Sequence, residues 1–175
     1  YPGSTMMTIK VLFENQTNKI LGAQFVGFDG VDKRIDFIAI AIRAGLGAPD
    51  LAELELAYAP PYGSAKDPVN MAGFIAENLT SGKVKQFYFE DIAALQREDS
   101  AILLDVRTPR EYLSGHVEGF SNIPFDDLRY RFSGIPNYRP VYVMCQSGSR
   151  SYVACCILSA HGYDFFNFAG GYRFY

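Results

Sequence analysis

Cys145-Gln146-Ser147-Gly148-Ser149-Arg150-Ser151 sets a thiol, a glycine-bearing loop and a guanidinium side by side. The apolar run Val141–Met144 before it reads as a buried strand, and Tyr152–Ala160 after it as a packed helix of small and apolar residues. A loop between such elements can turn its N–H groups inward as a nest for an anion, and the start of the helix adds its positive dipole end. A cysteine at the mouth of that loop would be held as the thiolate, its reactive form. Cys145 is therefore the candidate nucleophile. Arg150 either pairs with a carboxylate to shape the loop or places positive charge beside the sulfur. Gln146, Ser147, Gly148, Ser149 and Ser151 form the expected binding loop.

The spacing narrows the chemistry. Four residues separate Cys145 from Arg150, one fewer than in the loops with which phosphatases hold a tetrahedral phosphate. The smaller ring of amides suits one added sulfur atom, as in a persulfide. Upstream, Leu104-Asp105-Val106-Arg107, Glu111, Gly115-His116-Val117 and Asn122-Ile123-Pro124 follow in order. With these blocks and the C-x4-R loop, the chain from Val84 to Tyr175 resembles the rhodanese family of sulfurtransferases. The resemblance implies that sulfane sulfur is carried on Cys145, with Asp105, Arg107, Glu111 and His116 in support. Asp105 reads as a brace for loop backbone, and Arg107 as a substrate contact or a surface ion pair. Glu111 and His116 would hold Gly115–Asn122 in place, with a catalytic His116 as the competing reading. Cys155 and Cys156 read as small core residues of the helix; a resolving role would require one of them to face Cys145. His161-Gly162 reads as a helix end, and Phe165–Tyr175 as a last strand and loop packed on the sheet.

Composition bounds what positions these residues. A chain of 175 residues with 49% hydrophobic content can hold two small cores, and a net charge of −3 provides no basic field for nucleic acid. Three cysteines make no disulfide framework, which points to a reducing cytoplasm. No signal-peptide pattern is visible. The most apolar stretch, Ile35–Ile42, contains Asp36 and is too short to cross a membrane. No metal site is expected. The opening Tyr1-Pro2-Gly3 reads as an internal turn of something longer.

A break near Ser81-Gly82-Lys83 divides the chain into residues 1–82 and 83–175. In the first part, Met7–Phe13 and Ile20–Phe28 read as strands joined by the polar turn Glu14–Lys19. Gly30–Ala44 reads as a helix with Val31, Ile35, Ile38 and Ile42 on one face. A short helix is expected over Pro49–Leu54, and another over Asp67–Leu79 with Asp67 as N-cap and Pro68 first. The second part alternates strand and helix, with strands near Phe87–Phe89, Ala101–Val106, Val141–Met144 and Phe165–Asn167. The expected fold class is an α+β domain followed by an α/β domain whose parallel sheet is flanked by helices.

In the first part, Tyr58-Ala59-Pro60-Pro61-Tyr62 holds two tyrosines on a stiff loop ahead of a capped helix. Read from composition, the loop is a rigid connector whose aromatics pack on the core. ILGAQFVG, GVDKRID, LAELELAYAPPY and SAKDPVN together resemble the dimerisation domain of FAD-dependent pyridine nucleotide-disulfide oxidoreductases, in the wording of coenzyme A-disulfide reductases fused to rhodanese. The resemblance implies a homodimer formed through residues 1–82, which presents Tyr58 and Tyr62 to coenzyme A sulfur at the partner's flavin site. Tyr62 is the one expected to reach the reacting sulfur, where a phenol can donate to a departing thiolate. A His–Glu acid/base pair is excluded, since no histidine precedes His116. Tyr1 is a further candidate tyrosine. Lys66 and Asn70 are candidate coenzyme A contacts, set against a salt-bridging lysine and a surface asparagine.

No G-x-G-x-x-G follows a strand. The resemblance implies FAD, NAD(P)H and coenzyme A in the full-length protein, and the missing fingerprint implies that none is bound by this piece alone. The resemblance implies a flavin-dependent reductase of coenzyme A disulfide, persulfide or polysulfide acting on small sulfur-containing substrates. Two alternatives stand beside it: a simple thiosulfate-type sulfurtransferase with a purely dimerising first domain, and a non-catalytic rhodanese docking module.

Overall fold

Apolar residues alternating on either side of a polar turn give the chain its first pairing. In the computed structural model, which describes residues 2–175, β1 (Met7–Phe13) and β2 (Ile20–Gly27) form an antiparallel hairpin, Met7 opposite Gly27 and Phe13 opposite Ile20. Tyr1, the further candidate tyrosine, lies outside the described residues. The chain separates into two units, Tyr1–Lys83 and Val84–Tyr175.

In the first unit, α1 (Val31–Ala44) buries Arg34, Ile38 and Ala41, not the expected stripe. Ile42 is exposed and Val31 and Ile35 are half-buried. The helix is turned by a buried ion pair that periodicity does not show. Arg34 donates to Asp67 at 2.8 Å through Nη2 and 3.0 Å through Nε, and to Gly30 O at 3.1 Å. Asp67 also accepts from the Val69 amide at 3.0 Å and so caps α2 (Pro68–Thr80). The expected short helix is a 3-10 turn, Pro49–Glu53. It lies backbone to backbone against α2, where a Cβ on Gly73 would come within 2.1 Å of Ala52 N. Ile20, Ile38, Ala41, Ala48, Leu51, Val69 and Ala76 form the core between hairpin and helices.

The second unit is a five-stranded parallel sheet in the order β3-β7-β6-β4-β5. Its strands are β3 (Gln86–Phe87), β4 (Ile102–Asp105), β5 (Ser121–Asn122), β6 (Val141–Met144) and β7 (Phe165–Phe168). Its helices are α3 (Phe89–Glu98), α4 (Pro109–Leu113), α5 (Phe125–Arg131) and α6 (Ser149–Ala160). Phe89, expected in a strand, opens α3 instead. The Asp91 carboxylate accepts from the Tyr88 amide at 2.8 Å and starts the helix there. Side chains alternate across the strands. Leu104, Val141, Val143 and Phe165 pack with Leu128 of α5 and with Ala154, Cys155, Ile157 and Leu158 of α6. Leu103, Met144 and Phe168 pack with Phe87, Ile92, Val117 and Phe120. This sheet places the ends of β4, β6 and β7 side by side, where the chemistry-bearing loop emerges. Among the described residues no helix is long and apolar enough to cross a membrane.

Candidate active site

β6 ends at Met144, and α6 begins at Ser149 with Gly148 as its N-cap residue. Gly148 has φ +95°, a left-handed conformation that favours glycine. That turn brings the Gly148 amide to 3.1 Å from Cys145 Sγ. The Ser151 hydroxyl lies 3.2 Å from the same sulfur and 3.1 Å from Gly148 O. The Gly148 amide therefore points at the Cys145 sulfur, and the single proton of the Ser151 hydroxyl is shared between that sulfur and Gly148 O. The expected position at the loop mouth is corrected: Cys145 is 0% exposed. It is enclosed because its carbonyl accepts from the Tyr172 amide at 2.8 Å while its sulfur faces the first turn of α6.

Arg150 forms a two-pronged pair with Glu111, Nη2–Oε1 at 2.7 Å and Nη1–Oε2 at 2.9 Å. Glu111 also closes the capping box of α4, accepting from Thr108 N and Oγ1 at 2.8 Å each. The bond from Arg150 and those from Thr108 hold the Glu111 carboxyl at about 2, well below its usual range, against the opposing effect of burial. The same bond to Glu111 raises Arg150. Arg150 thus clamps the loop to the segment after β4.

Asp105 and Arg107 form a second pair, and both are buried. Arg107 Nη2 reaches Asp105 Oδ2 at 2.7 Å and Gly115 O at 2.9 Å; the Asp105 carboxylate also accepts from the Arg107 amide at 2.9 Å. The Arg107 guanidinium lies 3.8 Å from the centre of the Tyr172 ring. At 1% exposure Arg107 is neither a surface ion pair nor open to substrate; its donors are taken up by the loops. Asn122 donates to Asp105 O and Arg107 O at 2.9 Å each and ties down the following segment. His116 is exposed and stacks on Tyr112 at 4.0 Å. Its Nδ1 lies 3.2 Å from Tyr112 O, and since a carbonyl only accepts, that nitrogen carries the proton.

The loop residues Gln146, Ser147 and Ser149 stand around Cys145 by sequence, and Gln146 Oε1 lies 3.4 Å from Arg107 Nη1. Cys155 is buried in the core, and burial pushes its thiol well up. Cys156 is exposed and not a core residue, because α6 turns it toward solvent. Sequence reasoning missed three participants: Tyr172, Gly171 and Asn167. The Gly170-Gly171 pair was the available signal for a tight turn behind β7.

In the first unit, Tyr58 and Tyr62 are exposed rather than packed on the core, in a turn where the Tyr62 amide donates to Ala59 O at 2.8 Å. Lys66 is exposed, its ammonium 5.2 Å from the Phe74 ring, which differs from the expected salt bridge. Asn70 corrects the expectation of a coenzyme A contact or a surface position. It is buried, and its amide donates to Leu51 O at 3.0 Å and Leu54 O at 2.9 Å, which satisfies carbonyls left over by the 3-10 turn.

The central strand of the parallel sheet ends in a cysteine on a short loop that runs into α6, and this unit follows a hairpin-and-helix unit in the chain. Residues 89–174 match the rhodanese-like domain, and residues 1–68 match the pyridine nucleotide-disulphide oxidoreductase dimerisation domain. The chain therefore joins a dimerisation domain of that oxidoreductase family to a rhodanese-like domain. It is 46% identical over 79 residues to the coenzyme A disulfide reductase of Staphylococcus haemolyticus (strain JCSC1435), covering 45% of this chain and 18% of that relative. Over 99% of this chain and 31% of the other, it superposes on reduced Bacillus anthracis CoADR-RHD with a TM-score of 0.94 at 46% identity. It likewise superposes on an NAD-dependent persulfide reductase from A. fulgidus, with a TM-score of 0.85 and 35% identity over 100% of this chain and 31% of that one. The chain thus spans less than a third of the length of these relatives.

Proposed function

We propose that this chain forms part of a flavin- and NAD(P)H-dependent reductase of coenzyme A disulfide, persulfide or polysulfide, in which residues 83–175 carry sulfane sulfur on Cys145. The observation that carries the reading is the convergence of the Gly148 amide and the Ser151 hydroxyl on Cys145 Sγ. In the proposed step the Cys145 thiolate attacks the sulfane sulfur of a donor R–S–SH. The donor's S–S bond breaks, R–S⁻ leaves with the electron pair and takes up a proton, and Cys145–S–S⁻ forms. An acceptor thiolate then attacks the outer sulfur and departs as a persulfide, so that Cys145 is again the leaving thiolate. Donors aimed at Sγ stabilise the negative sulfur in both steps.

The acceptor is coenzyme A thiol or a redox cysteine elsewhere in the reductase. FAD and NAD(P)H are proposed for the whole enzyme and are assigned to no residue of this chain, which has no G-x-G-x-x-G fingerprint. Residues 1–82 form the homodimer and present Tyr58 and Tyr62 to coenzyme A sulfur, with Lys66 near its charged end. The exposed apolar residues Val26, Phe28 and Ile40 support an interface on this unit, and the exposure of both tyrosines supports their availability. Three free cysteines support a reducing cytoplasm.

Treatment of the chain with polysulfide or thiosulfate, followed by peptide mass analysis, tests the carrier role. The Cys145 peptide is expected to gain the mass of one sulfur, and Cys145→Ala to abolish the gain. Sulfur found only on Cys156, or nowhere with any donor, sinks the reading. A plain sulfurtransferase is favoured by one observation, that the described hydrogen bonds to Cys145 Sγ come from Gly148 and Ser151, both residues of the second unit. Sulfur transfer to cyanide without NADH-dependent sulfide release from the whole protein would select it. The complete burial of Cys145 favours a non-catalytic docking module; the two donors on the sulfur weigh against it, and the same mass analysis decides.

A further inference from the structure

The segment that follows β7 does more than finish the sheet. The Tyr172 amide donates to Cys145 O at 2.8 Å and the Arg173 amide to Gln146 O at 3.1 Å. Asn167, on β7, donates through Nδ2 to Gly148 O at 3.4 Å. Three carbonyls of the Cys145 loop are thus held on one side by residues 167–173. In a trans peptide the N–H points opposite the C=O, so the amides of Gln146, Ser147 and Ser149 face away from this segment.

We infer that Asn167, Gly171 and the backbone of Tyr172 and Arg173 form a positioning element that turns the loop's carbonyls outward and leaves its amides for sulfur. Two features show that the contact is built and tight. Gly171 has φ +71°, and a Cβ there would come within 2.6 Å of Cys145 O and Ser147 N and 2.7 Å of Gln146 C, all backbone atoms. Tyr172 is seated on the Arg107 guanidinium, itself fixed by Asp105 and Gly115 O. Asn167 adds an argument from cost. It is 6% exposed and its Oδ1 has no hydrogen-bond partner, so its side chain makes one long bond and leaves a buried acceptor unpaired. Such an acceptor is unfavourable for stability, and an apolar residue of that size would serve the core better. Loop placement is what the asparagine gains.

This inference rests on the sulfur-carrier reading, and the test separates the two. Gly171→Ala is compared with Gly162→Ala, another glycine at positive φ (+80°) whose Cβ would meet nothing within 4 Å. Both lose stability through the backbone; only the first pushes on the loop. The Gly148 amide signal in a nitrogen–proton NMR spectrum reports the loop without sulfur chemistry, and the rate of sulfur gain at Cys145 reports its use. Gly171→Ala is expected to move the Gly148 signal and slow sulfur gain at least about tenfold, while Gly162→Ala leaves both as in the parent. Asn167→Ala, which removes the orphan oxygen and so folds readily, is expected to move the Ser149 signal and slow the gain about threefold. An unmoved Gly148 signal in Gly171→Ala, or a loading rate within about twofold of Gly162→Ala, overturns the positioning role. Should the parent take up no sulfur from any donor, the carrier reading fails, and the Gly148 and Ser149 signals still decide whether residues 167–173 set the loop.

Discussion

Replacing Glu111 by Gln removes the charge that Arg150 clamps, and the structure sets the size of the loss. The carboxyl is depressed from 4.5 to about 2, chiefly by the Arg150 bond. At about 1.4 kcal/mol per pH unit that depression sets a ceiling of about 3.4 kcal/mol. Both side chains are 32% exposed, so solvent screens the pair, and about 1–2 kcal/mol is expected at neutral pH. The sign follows from the depressed value. The contribution is fully present above the unfolded value near 4.5 and is lost as pH falls toward 2. Urea unfolding of parent and Glu111→Gln, read from the amide signals of Val141–Met144, reports the second unit alone. The gap between them is expected to stay constant from pH 7 to pH 5 and to shrink below that. A gap that is flat down to pH 3, or below about 0.3 kcal/mol at pH 7, refutes the clamp as the cause of the depressed carboxyl.

Two further outcomes follow from burial. Asp67→Asn strips the countercharge from buried Arg34 and weakens the cap of α2, so the first unit should lose about 3 kcal/mol in denaturant unfolding, whereas removal of an exposed carboxylate such as Asp36→Asn should change little. Iodoacetamide applied to the folded chain at neutral pH should label Cys156 and leave Cys155 unmodified, since Cys155 is buried and its thiol is raised; peptide mass analysis reads the difference, and denaturation should erase it.

Much of this arrangement was legible in the sequence because period and punctuation agreed. Alternating apolar residues around Glu14–Lys19 gave the hairpin, and Asp67-Pro68 gave the start of α2. The C-x4-R spacing marked the loop, and of the two roles read for Arg150 the structure shows the carboxylate pair, made with Glu111 beyond β4. The misses share a physical cause. The facing of α1 is decided by Arg34 pairing with a residue on another helix, a long-range contact that hydrophobic period cannot show. Asn70 was misread because its donors answer carbonyls of a 3-10 turn sixteen and nineteen residues away. β5 was missed because a two-residue strand has no period at all; it is held by pairing with β4.

Cys145, the proposed sulfur carrier, and Cys155 differ in what surrounds the sulfur rather than in how deeply it lies. Both are fully buried and belong to one apolar cluster, so neither exposure nor packing separates them. Burial alone favours the neutral thiol, and Cys155 follows that rule. What Cys145 has in addition is an amide and a hydroxyl at 3.1 and 3.2 Å from Sγ. The amide belongs to a left-handed glycine whose carbonyl accepts from Tyr152 N and Asn167 Nδ2, with the one Ser151 proton shared between that carbonyl and Sγ. Around them stand two ion pairs, one of them wholly buried and so costly to desolvate. Apolar side chains would fill that space at lower cost, but they could not hold Gly115 O or stack beneath Tyr172. The charges fix loop geometry, and a fixed loop is what the proposed carrier role of Cys145 would require.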